Sequence, residues 1–172
     1  MNTLIAVLRL LHIFTGVIWV GLILFQAFYL APAINQTGKS GYQVFNAITR
    51  LAGFQRITPI VAIITTLAGV LLYGMNRWDA LLSTLGGILM LIGALAGLAA
   101  FGHGFGLISV TNKFSQAVSS WISAGQPEAG TEYTEVQQLG DRYARNARVA
   151  AMIMIVAVIG MASARGFTSI VF

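Results

Sequence analysis

Arg9, His12, Gly16 and Trp19 stand three and four residues apart in the run LRLLHIFTGVIWVGLILF, a spacing that places them on one face of a helix. The run is otherwise apolar. An ionisable side chain in hydrocarbon costs on the order of 3 kcal/mol, so Arg9 and His12 call for a physical reason. An imidazole beside a glycine, with a flat aromatic ring one turn further on, lets a planar macrocycle approach the backbone while the imidazole ligates its metal. The alternative is a histidine that hydrogen-bonds a neighbouring helix or water, with Arg9 snorkelling to lipid headgroups.

The second histidine, His103, lies in AFGHGFG, beside a stripe formed by Gly86, Gly93, Gly97, Ala100 and Gly104. Small residues at such spacing let helices touch backbone to backbone, and GALAG is a small-xxx-small motif of that kind. The glycines flanking His103 either clear space for a cofactor or reflect the same close packing. A haem bridged by His12 and His103 is disfavoured by depth. At about 1.5 Å of rise per residue, His12 lies roughly 13 Å below the outer end of its span and His103 roughly 33 Å below the start of its own. About 20 Å of depth therefore separates them. Partners at the level of His12 are Met90 and Met161, and at the level of His103 they are Met154 and Gln26, methionine being a known axial haem ligand.

These residues must be positioned by membrane helices. The chain has 172 residues, 57% of them hydrophobic and 9% charged, with a mean hydropathy of +0.81, values outside the range of water-soluble domains. It has no cysteine, which excludes disulfides, thiolate metal sites and thiol catalysis. The acids Asp79, Glu128, Glu132, Glu135 and Asp141 all lie outside the apolar runs, so no buried carboxylate pair is present for acid–base work. No catalytic constellation is evident. The N-terminal run lacks a basic leader and a cleavage site, and reads as a retained helix.

A span needs about 20 apolar residues, and the runs 3–30, 57–75, 81–110 and 147–168 meet that length. Pro59 is expected in the opening turn of the second span, where a missing N–H is harmless. Lys39, Arg50, Arg56, Lys113, Arg142, Arg145 and Arg148 fall in or beside the connections 31–56 and 111–146, against Arg9, Arg77 and Arg165 on the other side. The positive-inside rule then puts both long connections in the cytoplasm and both termini outside. The net charge of +5 is mostly this topology signal; the basic residues are dispersed and accompany no nucleic-acid motif, so no nucleic-acid partner is expected. Phe45, Ile48, Phe114, Val118, Trp121 and Ile122 recur at helical spacing within the connections, as in helices lying at the interface, with Gly125 and Pro127 ending the second. The expected fold is all-α: one transmembrane domain over 1–172, an integral membrane four-helix bundle with amphipathic cytoplasmic linker helices.

Leu11, His12, Trp19 and Gly21 give the first helix a pattern that resembles the membrane domain of the copper-resistance protein D superfamily. The likeness continues through RLAGFQRITPIVAIITTLAGVLLY and the C-terminal third, where the chain is similar to a bacterial branch of that superfamily. The same Leu-His helix occurs in the related haem-binding, oxygen-independent protoporphyrinogen oxidase family, in which the histidine ligates haem. The resemblance implies a bacterial inner-membrane location and a b-type haem on His12. Leu8 stands where the oxidase family has lysine, and Pro32-Ala33 where it has Pro-Arg, which argues against catalysis on a porphyrin. Copper transport, implied by the superfamily's name, lacks a Met-rich or His-rich outer stretch to collect the metal.

The expected function is thus a b-type haem protein or redox-complex subunit working in electron transfer, with His12, Gly16, Trp19, Arg9 and His103 around the cofactor and Met90 or Met161 as second metal ligand. The alternatives are a structural subunit of a larger membrane complex and a copper-resistance protein. Expected partners are the bilayer and other membrane subunits or further copies of the chain. Topology is tested by single-cysteine labelling in the cysteine-free chain. Asn2→Cys should react with an impermeant outside reagent and Gln126→Cys should be protected; the reverse pattern overturns the orientation.

Overall fold

The computed structural model describes residues 3–51, 53–75, 82–127 and 129–167, and these are helical nearly throughout, with no strand among them. Helix α1 (Thr3–Phe25) passes through a π-helical turn (Gln26–Leu30) into α2 (Ala31–Thr37). The wide turn closes with the Ala31 N–H bonded to the Gln26 carbonyl, five residues back, immediately before Pro32, which has no N–H to give. Gly38, at φ 55°, turns the chain into α3 (Lys39–Asn46). Gly41 then lies so close to α2 that a Cβ there would meet the Ile34 Cα at 2.7 Å. A second π turn (Ala47–Leu51) leads to α4 (Phe54–Gly74), followed by α5 (Leu85–Ser123), α6 (Thr131–Ser163) and a final 3-10 turn (Ala164–Phe167).

Among the described residues, four helical stretches are long and apolar enough to cross a membrane: Thr3–Thr37, Phe54–Gly74, Leu85–Ser123 and Thr131–Phe167. Each contains most of one expected span, with ends set by local chemistry. α5 starts at Leu85 because the Thr84 hydroxyl accepts the Gly87 N–H at 3.1 Å, an N-cap. It ends in a Schellman turn, with Gln126 N–H on the Trp121 carbonyl and Gly125 N–H on that of Ile122. α4 begins at Phe54, which puts Pro59 inside the helix, beyond the opening turn where the sequence led us to expect it. The run 114–122 is the last part of α5, continuous with the third span, and not a separate linker helix. Arg77 and the rest of 76–81, like Asn2 and Glu128, lie outside the described residues.

The chain divides into two compact units. One comprises Met1–Val20, Ile60–Gly102 and Met152–Phe172. Its outward side chains are large and apolar, Leu10 at 69% exposed being typical of a surface that suits lipid and not water. Small residues make the close contacts of its interior, with Trp19, Leu8 and Met154 buried among them. A Cβ on Gly160 would lie 2.8 Å from the Gly93 Cα and from the Leu89 carbonyl oxygen, and one on Gly93 would lie 2.7 Å from the Met161 nitrogen. Here α5 and α6 meet backbone to backbone.

The other unit comprises Gly21–Pro59 and His103–Ala151, and it packs by large side chains. Phe45 of α3, Phe114 and Trp121 of α5 and Tyr143 of α6 are fully buried. Phe45 and Phe114 lie 4.4 Å apart by ring centroids, and Tyr42 stands edge-on to both Phe114 and Trp121 at 5.9 and 5.7 Å. Trp121 also donates its indole N–H to the Pro127 carbonyl at 3.0 Å, tying the helix end to the turn that follows. Burial, with the nearby Tyr133 and Asp141, raises the Tyr42 phenol above its ordinary pKa, so it stays neutral at physiological pH.

The glycine seam sets a stability test. Gly160→Leu forces a side chain into the Gly93 backbone and should cost about 1–3 kcal/mol or more, read as a lowered melting temperature in detergent. Gly106→Leu, on α5 where a Cβ meets nothing within 4 Å, should stay within about 0.5 kcal/mol of the parent. Equal effects would show that α5 and α6 do not meet at Gly93 and Gly160.

Candidate ligand site at His12

One residue of α4, Thr65, holds one turn of α1. Its backbone carbonyl bonds the Nδ1 of His12 at 2.8 Å. Its hydroxyl donates to the Thr15 hydroxyl at 2.7 Å, and Thr15 in turn donates to the Leu11 carbonyl. Its methyl packs on the bare α-carbon of Gly16, where a Cβ would sit 3.4 Å away. One helical turn along α4, Gly69 receives the imidazole, since a Cβ there would meet His12 Cε1 at 2.7 Å and Nδ1 at 2.9 Å.

The chemistry follows from the partner. A carbonyl oxygen only accepts, so the proton of the bond must sit on His12 Nδ1. In the neutral ring the lone pair is therefore on Nε2, and no protein group bonds that atom among the described residues. A metal-ligating histidine shares this arrangement, its second ring nitrogen commonly donating to a backbone carbonyl that fixes tautomer and orientation, and so does a histidine that simply hydrogen-bonds a neighbouring helix. His12 is half-buried.

The other expected site residues are dispersed. Gly16 shares the face of His12, but Thr65 of α4 covers it, leaving no bare strip for a macrocycle to lie along. Trp19 is buried and stands edge-on to Phe101 of α5, ring centroids 6.5 Å apart, so its ring serves helix packing. Arg9 is exposed. Met161 lies along the α5–α6 seam, its Cε 3.4 Å from a Cβ built on Gly97, and Met90 is half-buried on α5. His103 belongs to the other unit, where its Nε2 bonds the Asn146 carbonyl at 3.2 Å and so carries the proton. No group of three or more His, Cys, Asp or Glu side chains gathers among the described residues.

For a b-type haem the fit is thus specific to one atom. The donor chemistry of His12 Nε2 suits an axial ligand, while Gly16 and Trp19 are engaged by α4 and α5 and form no cradle for the ring.

Sequence reasoning missed Thr15, Thr65 and Gly69. The signal was present in TTLAG, where a hydroxyl residue and a glycine stand four apart on α4 and match the His12 to Gly16 spacing on α1. It also missed Gly160, whose lone glycine has no repeat to announce it. Away from these, Lys113, Gln116, Glu132, Glu135 and Arg142 line an open polar groove of about 390 Å³ between α5 and α6. No protein-family model, curated protein or solved structure matches the chain.

Proposed function

We propose that this chain is a membrane-embedded b-type haem protein or redox-complex subunit, with His12 Nε2 as the atom that would hold the iron and electron transfer as its role. The observation that carries the proposal is the His12 Nδ1–H bond to the Thr65 carbonyl, which leaves Nε2 as the lone-pair nitrogen. The first-helix resemblance at Leu11, His12, Trp19 and Gly21 points the same way. When bound, the haem would supply one-electron redox chemistry. The protein's part is to hold the imidazole in one tautomer and orientation and to surround it with apolar helices that keep the local dielectric low. Met161 and Met90 are the proposed sources of a second ligand, from the same compact unit as His12. The proposed setting is the bacterial inner membrane with both termini outside, among other membrane subunits or further copies of the chain.

A second reading, a structural subunit of a larger complex without cofactor, is favoured by the engagement of Gly16 and Trp19 in helix packing. The absorption spectrum of the protein purified from a haem-replete host separates the two. The haem proposal expects a Soret band with reducible α and β bands, abolished or strongly shifted by His12→Ala and near-native in His103→Ala. A colourless parent overturns it in favour of the structural reading, and equal loss in both variants at one haem per chain overturns the assignment to His12.

A further inference from the structure

We propose that Gly69 is a positioning residue, which together with the Thr65 carbonyl locks the neutral His12 ring in the Nδ1–H tautomer and leaves Nε2 as its lone-pair nitrogen. Which imidazole nitrogen is free to ligate depends on what the other one bonds. Left to itself, a neutral histidine favours the proton on Nε2. That would leave Nδ1, the nitrogen crowded by its own Cβ, as the donor atom.

The Thr65 carbonyl reverses this preference, but only while the ring lies flat against α4. Gly69 is what permits that approach, because any side chain there would begin 2.7 Å from Cε1 and 2.9 Å from Nδ1. The Thr65 carbonyl is backbone and survives any side-chain change, so Gly69 is the position through which the tautomer can be altered. The chain contains an internal contrast. His103 bonds Asn146 through Nε2 and should hold the opposite tautomer, with its lone pair on Nδ1.

The test uses the full chain, expressed without added haem, with ring-15N histidine in lipid bilayers and mildly alkaline buffer. With two histidines in the sequence, His103→Ala assigns both sets of ring signals. The wild type should show a protonated Nδ1 and a pyridine-like Nε2 for His12, and the reverse for His103. Gly69→Ala should push the His12 ring off Thr65 and move its proton to Nε2 or into exchange, with the His103 signals and helix content unchanged. A His12 proton on Nε2 in the wild type, protons on both nitrogens, or a Gly69→Ala spectrum identical to the parent would each overturn the proposal. The wild-type spectrum decides even where the variant is not recovered folded.

Discussion

Helices surrounded by lipid gain little by hiding apolar side chains from one another, because lipid tails are as apolar as leucine. Contact between them has to come from close backbone approach and from hydrogen bonds that cross from one helix to the next. The His12 bond to the Thr65 carbonyl is such a bond, and the arrangement around it depends on that single interaction. Drawing the imidazole onto the α4 backbone brings Gly16 onto the Thr65 methyl and Thr15 onto the Thr65 hydroxyl. The ring reaches the carbonyl where Gly69 leaves room, and the threonine hydroxyls meet one turn from it.

The same constraint explains why the two units are built from different residues. In the unit containing His12, small residues and hydroxyls make the close helix contacts, with Gly93 against Gly160 as the second point of backbone contact and Trp19 and Met154 buried beside them. In the other, Phe45, Phe114, Trp121 and Tyr143 form a buried aromatic cluster. α5, with 39 residues, is about 58 Å long and exceeds the roughly 30 Å hydrocarbon core. One helix therefore contributes glycines to the first kind of packing and aromatic rings to the second.

Much of this was legible. The four apolar runs, the turn at Gly125 and Pro127 and the packing role of Gly93 follow from composition, spacing and turn chemistry. What was not legible is pairing. Nothing in α1 alone says that Thr65 is the residue opposite His12, since interhelical bonds depend on rotation and register that one-dimensional periodicity does not carry. The glycine stripe was overread for the same reason: Gly93 and Gly97 face α6, but a Cβ on Gly104 meets nothing within 4 Å. The amphipathic run 114–122 was taken for a separate helix because its polarity changes, yet no breaker interrupts the chain between Gly106 and Gly125, and α5 runs straight through it.

The central claim is that the His12 imidazole bonds the Thr65 carbonyl, and it can be measured directly in a bilayer. Residues 65 and 66 form the one Thr-Thr pair in the sequence, so labelling threonine with carbonyl 13C and amide 15N selects the Thr65 carbonyl by its coupling to the next nitrogen. Adding ring-15N histidine makes the dipolar coupling between that carbonyl and an imidazole nitrogen observable by solid-state NMR, with no interference from His103, whose partner is Asn146. The account predicts a weak but measurable coupling, because the 2.8 Å bond runs to the carbonyl oxygen and the labelled carbon lies just beyond it, and this coupling disappears in His12→Ala. A Thr65 carbonyl with no coupling to any histidine nitrogen would contradict it.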